Sequence, residues 1–228
     1  MKKAVVLCSG GLDSSTAMAM ACHQKFDVFA LSFDYGQRHR IEVERAKEVV
    51  STLGIKNHLV QKLEFKGLGE SALTSLKEIP KDRDMKTIAS EIPPTYVPAR
   101  NTIFLSFGLA LAEGWGAEAI FFGANAVDYS GYPDCRPEFI RAFEKMANLA
   151  TKMSVEGKLK FRIKTPLLFL SKAEIVLKGK ELGVPFHLTH SCYDPAPTGI
   201  SCGRCDSCKL RKRGFQEAGL EDPLPYLD

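Results

Sequence analysis

Nowhere does the sequence hold an uncharged apolar run approaching the ~20 residues that a bilayer demands, so no membrane span is expected. A dominant charge is missing too. Lys and Arg number 31 against 27 Asp and Glu, and a formal net charge of +4 singles out no nucleic-acid partner. The basic cluster Lys209-Leu210-Arg211-Lys212-Arg213 accordingly reads as a solvated helix face. Internal repeats and low-complexity tracts are absent. Met1-Lys2-Lys3 opens on a short strand-like run without the longer apolar core and small-residue cleavage site of a signal peptide, so the expected compartment is the cytoplasm. What is present is an ordinary globular composition, 45% hydrophobic and 25% charged, in 228 residues, long enough to bury a full core.

An even set of cysteines is also lacking. There are seven, with Cys8, Cys22 and Cys135 scattered and Cys192-x9-Cys202-x2-Cys205-x2-Cys208 gathered near the C-terminus. In a cytosolic chain such a cluster points to a metal before a disulfide. Four thiolates make a closed, structural Zn²⁺ site, and Gly203 permits the tight turn between Cys202 and Cys205. An iron–sulfur cluster is the alternative, with nothing else in the chain pointing to redox chemistry. The ion would clamp the tail and contribute folding energy directly. This divides the chain into a nucleotide domain over 1–185 and a cysteine segment over 186–228 packed on the same domain.

Lys3 to Cys8 is a continuous apolar run, expected for a strand buried on both faces. A helix is predicted over Ser14 to Gln24, a strand over Asp27 to Ser32, a helix over Arg40 to Leu53 stopped by Gly54, and a short strand over Asn57 to Gln61. From Glu64 to Pro98 periodicity dissolves among prolines and charges, as in a lid, a binding loop or a disordered stretch. Asn101 to Trp115 reads as a central helix, Glu118 to Gly123 as a strand, Pro137 to Met153 as a helix and Phe161 to Thr165 as a strand. Ser171-Lys172-Ala173-Glu174 is a capping box that opens a helix ending before Gly183. The alternation implies an α/β, Rossmann-like parallel sheet with helices on both faces and a ligand at the carboxyl ends of its strands.

Ser9-Gly10-Gly11-Leu12-Asp13-Ser14 lies between the first strand and the first helix. Its glycines let backbone N–H groups turn inward, and the helix dipole faces the same space. Ser9, Ser14 and Ser15 add hydroxyls, and Asp13 would orient Mg²⁺ or tie the loop down. A bare glycine turn needs no ligand, but this whole string after an apolar strand reads as a polyanion site. No Gly-Lys-Ser/Thr follows, and no third glycine completes a dinucleotide fingerprint.

On Ser9 to Ser14 the chain resembles the N-type ATP pyrophosphatases, whose nucleotide-binding stretch would cover Cys8, Ser9, Gly10, Gly11, Leu12, Asp13, Ser14, Ser15, Thr16, Ala17 and Met18. That resemblance implies an adenine-nucleotide alpha hydrolase-like fold and adenylation with release of pyrophosphate. Read with the four cysteines, Asp34 to His39, Val97 to Asn101, Asp128 to Arg136, Lys164 to Leu167 and Ser191 to Tyr193, the whole length is similar to the 7-cyano-7-deazaguanine synthase family. This implies conversion of 7-carboxy-7-deazaguanine and ammonia to the nitrile with two ATP, in queuosine-precursor biosynthesis, by a homodimer that needs neither membrane nor direct nucleic-acid contact.

Arg100 and Lys164 are the expected clamps on the ATP phosphates and, with Asp13, the expected catalytic groups. Asp128, Tyr129, Asp134 and Arg136 follow the fourth strand, where Asp would suit a deazaguanine's donor edge and Tyr its ring. Gln37 and Arg38 are expected in the same pocket, with His39 as a possible proton shuttle; Cys135 has no assigned role. Two other readings stand beside this one. Another adenylating amide-forming or tRNA-modifying enzyme is weakened by the absence of room for an RNA-binding or glutaminase domain. A non-catalytic zinc module that binds nucleic acid leaves the N-terminal loop unexplained.

Overall fold

A computed structural model describes residues 1–37, 41–65, 71–75, 77–127 and 132–227, without the side chains of 89 and 90. The expected site residues Arg38, His39, Asp128 and Tyr129 lie outside the described residues. Five strands, β1 (Lys3–Leu7), β2 (Asp27–Asp34), β3 (Asn57–Lys62), β4 (Ala119–Phe121) and β5 (Arg162–Lys164), form one parallel sheet in the order β3-β2-β1-β4-β5. The chain leaves β1 toward β2 on one side and returns to β4 on the other. This is the switch point at which open α/β sheets leave a crevice.

Alternate β1 side chains enter two cores, which is why its apolar run is unbroken. Val5 and Leu7 face α4 (Arg100–Trp115) through Leu105 and Leu109, and α5 (Pro137–Ala150) through Phe143. Ala4, Val6 and Cys8 face Met18 of α1 (Leu12–His23) and Val49 of α2 (Ile41–Thr52). A third core joins α1 to α7 (Lys172–Glu181) and α8 (Asp206–Glu217) through Ala17, Ile175, Val176 and Phe215. The helices therefore cover both faces.

Several expectations are corrected. The first helix starts at Leu12, earlier than Ser14, because Gly11 is its N-cap. The predicted Pro137–Met153 helix breaks at Thr151, whose backbone is extended, and resumes as α6 (Lys152–Val155). Within 64–98 the described residues are not shapeless, and Leu73 lines the cavity described below. Phe65, Leu73, Ile79 and Val97 are buried in the main core, and α3 (Met85–Ser90) is capped by Asp84. These apolar residues bury singly between prolines, so no period announces them. The basic cluster on α8 is not a purely solvated face either. Arg211 is buried, paired with Asp222 at 2.8 Å and bonded to Thr189 at 2.7 Å. Lys209 donates to the Arg83 carbonyl. No helix among the described residues is long and apolar enough to cross a membrane.

Candidate active site

The Ser9–Ser14 loop is braced mostly by its own atoms. Ser9 N–H donates to the Ser14 hydroxyl at 3.1 Å, and the Ser14 and Ser15 hydroxyls donate to the Gly11 carbonyl at 3.2 and 2.7 Å. Gly10 has φ +80°, and a Cβ there would sit 2.6 Å from the Glu42 carbonyl oxygen. Its glycine is therefore demanded by the packing of α2 against the loop as much as by a ligand. From the far end of the chain, His190 N–H donates to the Gly10 carbonyl at 2.8 Å.

Above the loop lies a cavity of about 280 Å³ at the switch point. Cys8, Ser9, Gly11, Leu12, Asp13 and Ser14 line it, in front of the α1 N-terminus and its unpaired N–H groups. Ser15, Thr16, Ala17 and Met18 point elsewhere: the two hydroxyls bond back to the first turn, and Ala17 and Met18 fill the cores. Asp13 is ion-paired to Lys172, whose Nζ donates to both carboxylate oxygens at 2.7 and 2.8 Å. The Ser171–Glu174 capping box forms as expected, so Lys172 takes the first position of α7. Gly214 of α8 makes room for it, since a Cβ there would lie 2.3 Å from the Lys172 Cγ.

Arg100 lines the opposite wall at the start of α4, with its guanidinium 5.9 Å from the Tyr132 ring centre. Gln37 also lines the cavity, where its amide oxygen accepts from Tyr35 N–H at 2.8 Å and braces the turn after β2. Three other expected residues do not line it. Lys164 holds its ammonium over the Phe26 and Phe121 rings at 5.5 and 5.6 Å. Asp134 is buried and accepts from the Asn101 backbone and side-chain amides, each at 3.1 Å, which braces the start of α4. Arg136 is exposed at the start of α5. Cys135 reaches the cavity, but burial, then the neighbouring Asp134, push its thiol up to about 12, which withholds the thiolate a nucleophile requires.

Glu42 and Lys172 are cavity groups that the sequence reading missed. Burial pushes the Glu42 carboxyl up to about 7, against the opposing pull of Arg100. Its only sequence signal is a place in the first turn of a helix that follows a strand end. For Lys172 the partner lies 159 positions away, and no local pattern reports it.

Beside the cavity, the sulfurs of Cys192, Cys202, Cys205 and Cys208 lie within 4.8 Å of one another, and all four residues are buried. That donor set fits Zn²⁺, whose ~2.3 Å bonds to sulfur place tetrahedral ligands roughly 3.8 Å apart. Backbone N–H groups turn toward the sulfurs: Cys202 N–H and Asp194 N–H to Cys192 at 3.2 and 3.4 Å, and Cys205 N–H to Cys202 at 3.3 Å. Such bonds stabilise thiolates around a metal. The knuckle is held from outside by a Lys81–Cys205 backbone bridge and by ion pairs Lys81–Asp194 and Arg83–Asp206 at 2.9 and 2.7 Å. Ser191, Cys192 and Tyr193 are at once its first segment and a wall of the cavity.

The chain matches the family model described as "Queuosine biosynthesis protein QueC" over residues 3–219. A protein of Desulfatibacillum aliphaticivorans named 7-cyano-7-deazaguanine synthase is 60% identical over 226 residues, 99% of this chain and 97% of that one. A protein of the same name from Solidesulfovibrio magneticus is 60% identical over 225 residues, 99% and 96% of the two chains. Among solved structures, the NMN synthetase of Francisella tularensis has a TM-score of 0.51 at 17% identity, covering 96% of this chain and 78% of that one. That likeness is one of fold, and it agrees with the adenine-nucleotide alpha hydrolase-like class.

Proposed function

The chain belongs to the queuosine biosynthesis protein QueC family, and from that premise we propose that its cavity adenylates the carboxylate of 7-carboxy-7-deazaguanine and delivers the nitrile in two ATP-driven rounds. It is an ATP-dependent enzyme of queuosine biosynthesis. The observation that carries the finer reading is the Ser9–Ser14 loop, which opens at a helix N-terminus into a cavity flanked by Lys172 and Arg100.

A carboxylate is a poor electrophile, and its oxygen is a poor leaving group. In the first round a substrate oxygen attacks the α-phosphorus of ATP and pyrophosphate leaves. Ammonia then attacks the acyl carbon, AMP departs with the oxygen, and the amide forms. In the second round the amide oxygen attacks the α-phosphorus of a second ATP and pyrophosphate leaves, and loss of AMP and of the remaining N–H protons then gives the nitrile. The protein's share is placement and charge. N–H groups at the start of α1 receive phosphate oxygens, and the Lys172 ammonium offsets the growing negative charge. Asp13 is the carboxylate at hand for Mg²⁺, which supplies charge neutralisation of the phosphates when bound. Lys172 takes the phosphate role expected of Lys164. Zn²⁺ on the four cysteines has a structural part, because no open position is left on it.

A sulfur-transferring relative would need a reactive thiol here, and burial holds Cys8 at about 11 and Cys135 at about 12. The test is ATP-dependent release of pyrophosphate from purified protein given 7-carboxy-7-deazaguanine and an ammonium salt. Release and nitrile formation in step are expected. Release no faster than without the carboxylate would refute the reading.

A further inference from the structure

Glu42 sits at the second position of α2, where its backbone carbonyl packs on Gly10 and its side chain borders the cavity. The other carboxylate lining the described cavity, Asp13, is taken up by Lys172. The Glu42 carboxylate has no hydrogen bond or ion pair among the described residues. Its electrostatic neighbours are Arg100, from α4, and Tyr35, from the end of β2. A recessed carboxylate that meets no donor among the described residues can be completed by a ligand's N–H groups. Beside it, Arg100 presents N–H donors to the same space.

A deazaguanine offers one edge that matches this pair. Its carbonyl oxygen accepts, and the adjoining ring N–H and 2-amino group both donate. A guanidinium beside a carboxylate is the complementary order, one donor followed by two acceptors. The walls suit a planar ring: Tyr35 and Phe104 line the cavity with ring centres 5.5 Å apart, and Tyr132 lines it with Arg100 over its face.

We infer that Glu42 is the specificity-determining residue that reads the ring N–H and 2-amino edge of the deazaguanine, with Arg100 on the neighbouring carbonyl. The assignment rests on the substrate reading above. It moves edge recognition away from Asp134, whose oxygens are already bonded to Asn101. Burial raises Glu42 toward neutrality, and two N–H donors would return it to the ionised form.

The test compares 7-carboxy-7-deazaguanine with the analogue that lacks the 2-amino group, by calorimetric binding to wild type, Glu42→Gln and Glu42→Ala. Affinity for a non-hydrolysable ATP analogue reports that the fold and the phosphate loop are intact. Wild type is expected to prefer the amino-bearing base by about 10–100-fold, the effect of a lost charge-assisted hydrogen bond. Glu42→Gln is expected to weaken that base by a similar factor and to reduce the preference to about threefold or less, with the ATP analogue bound as before. A preference that persists in both variants would overturn the inference, as would unchanged affinity for the amino-bearing base. If wild type itself binds neither base, the substrate reading fails first and takes the inference with it.

Discussion

At the scale of single residues, the Asp13–Lys172 pair is the most exacting arrangement in the site. Lys172→Met and Asp13→Ala are each expected to lower pyrophosphate release by about 100-fold or more, the usual effect of removing one preorganised charged group. Far-UV circular dichroism should stay unchanged, because neither side chain fills a core. Activity within tenfold of wild type in either variant would remove that residue from the mechanism. Glu42 carries a second prediction, about the empty protein. Its folded value of about 7 lies above the ordinary 4.5, so the native state holds the proton more tightly than the unfolded chain does. Stability contributed by that proton is present below the ordinary value and is lost as pH rises through the folded one. Melting curves should show wild type losing on the order of 1–3 kcal/mol relative to Glu42→Gln between about pH 5 and pH 8. Parallel curves would count against it.

The loop residues were legible because they are contiguous: six residues and a preceding apolar strand define the turn, the helix start and the space in front of it. The four cysteines were legible for the same reason, through short spacing. Lys172 and Glu42 were not, because what matters about them is a partner brought close by tertiary packing. Lys164 illustrates the converse. Its position at a strand end suits a ligand clamp, yet two phenyl faces beside β5 hold its ammonium.

Among the elements, α7 and α8 govern the site without lining most of it. Alanine in place of a helical glycine normally stabilises a helix by roughly 0.5–1 kcal/mol. Gly214 should behave in the opposite way, because the added carbon would meet the stem of Lys172. Gly214→Ala is expected to lower stability by roughly 1–3 kcal/mol and to reduce turnover along with it. A variant with a higher melting temperature and full activity would show that Lys172 does not depend on this contact. The strands and helices that carry a period were readable: the double-faced β1, the helix stopped by Gly54 and the capping box of α7 all stand as the pattern implied. Segment 64–98 was not. Its buried Leu73, Ile79 and Val97 contribute one side chain at a time to a core assembled by other elements.

Over the whole molecule, the cysteine knuckle and the switch-point cavity share a wall, so loss of the metal should reach beyond stability. Cys205→Ser is expected to lower bound zinc, melting temperature and affinity for an ATP analogue together, because Ser191 to Tyr193 and the His190–Gly10 bond hang on that knuckle. Zinc measured by emission spectroscopy, thermal melting and calorimetry give three independent readouts. Unchanged zinc content would overturn the cluster assignment. Zinc loss with intact nucleotide affinity would uncouple the two sites.

The reach from Asp13 to Lys172, and from Gly10 to His190, also sets a timetable for the cell. A ribosome emits the loop early and adds Lys172 159 positions after Asp13, roughly 10–30 s later at ordinary elongation rates, with His190 later still. During that interval the nascent chain carries the glycine turn without the lysine that faces it or the backbone donor that pins it. A polypeptide released before position 172 therefore carries the loop without the groups that face and pin it, and on the proposed reading it spends no ATP idly.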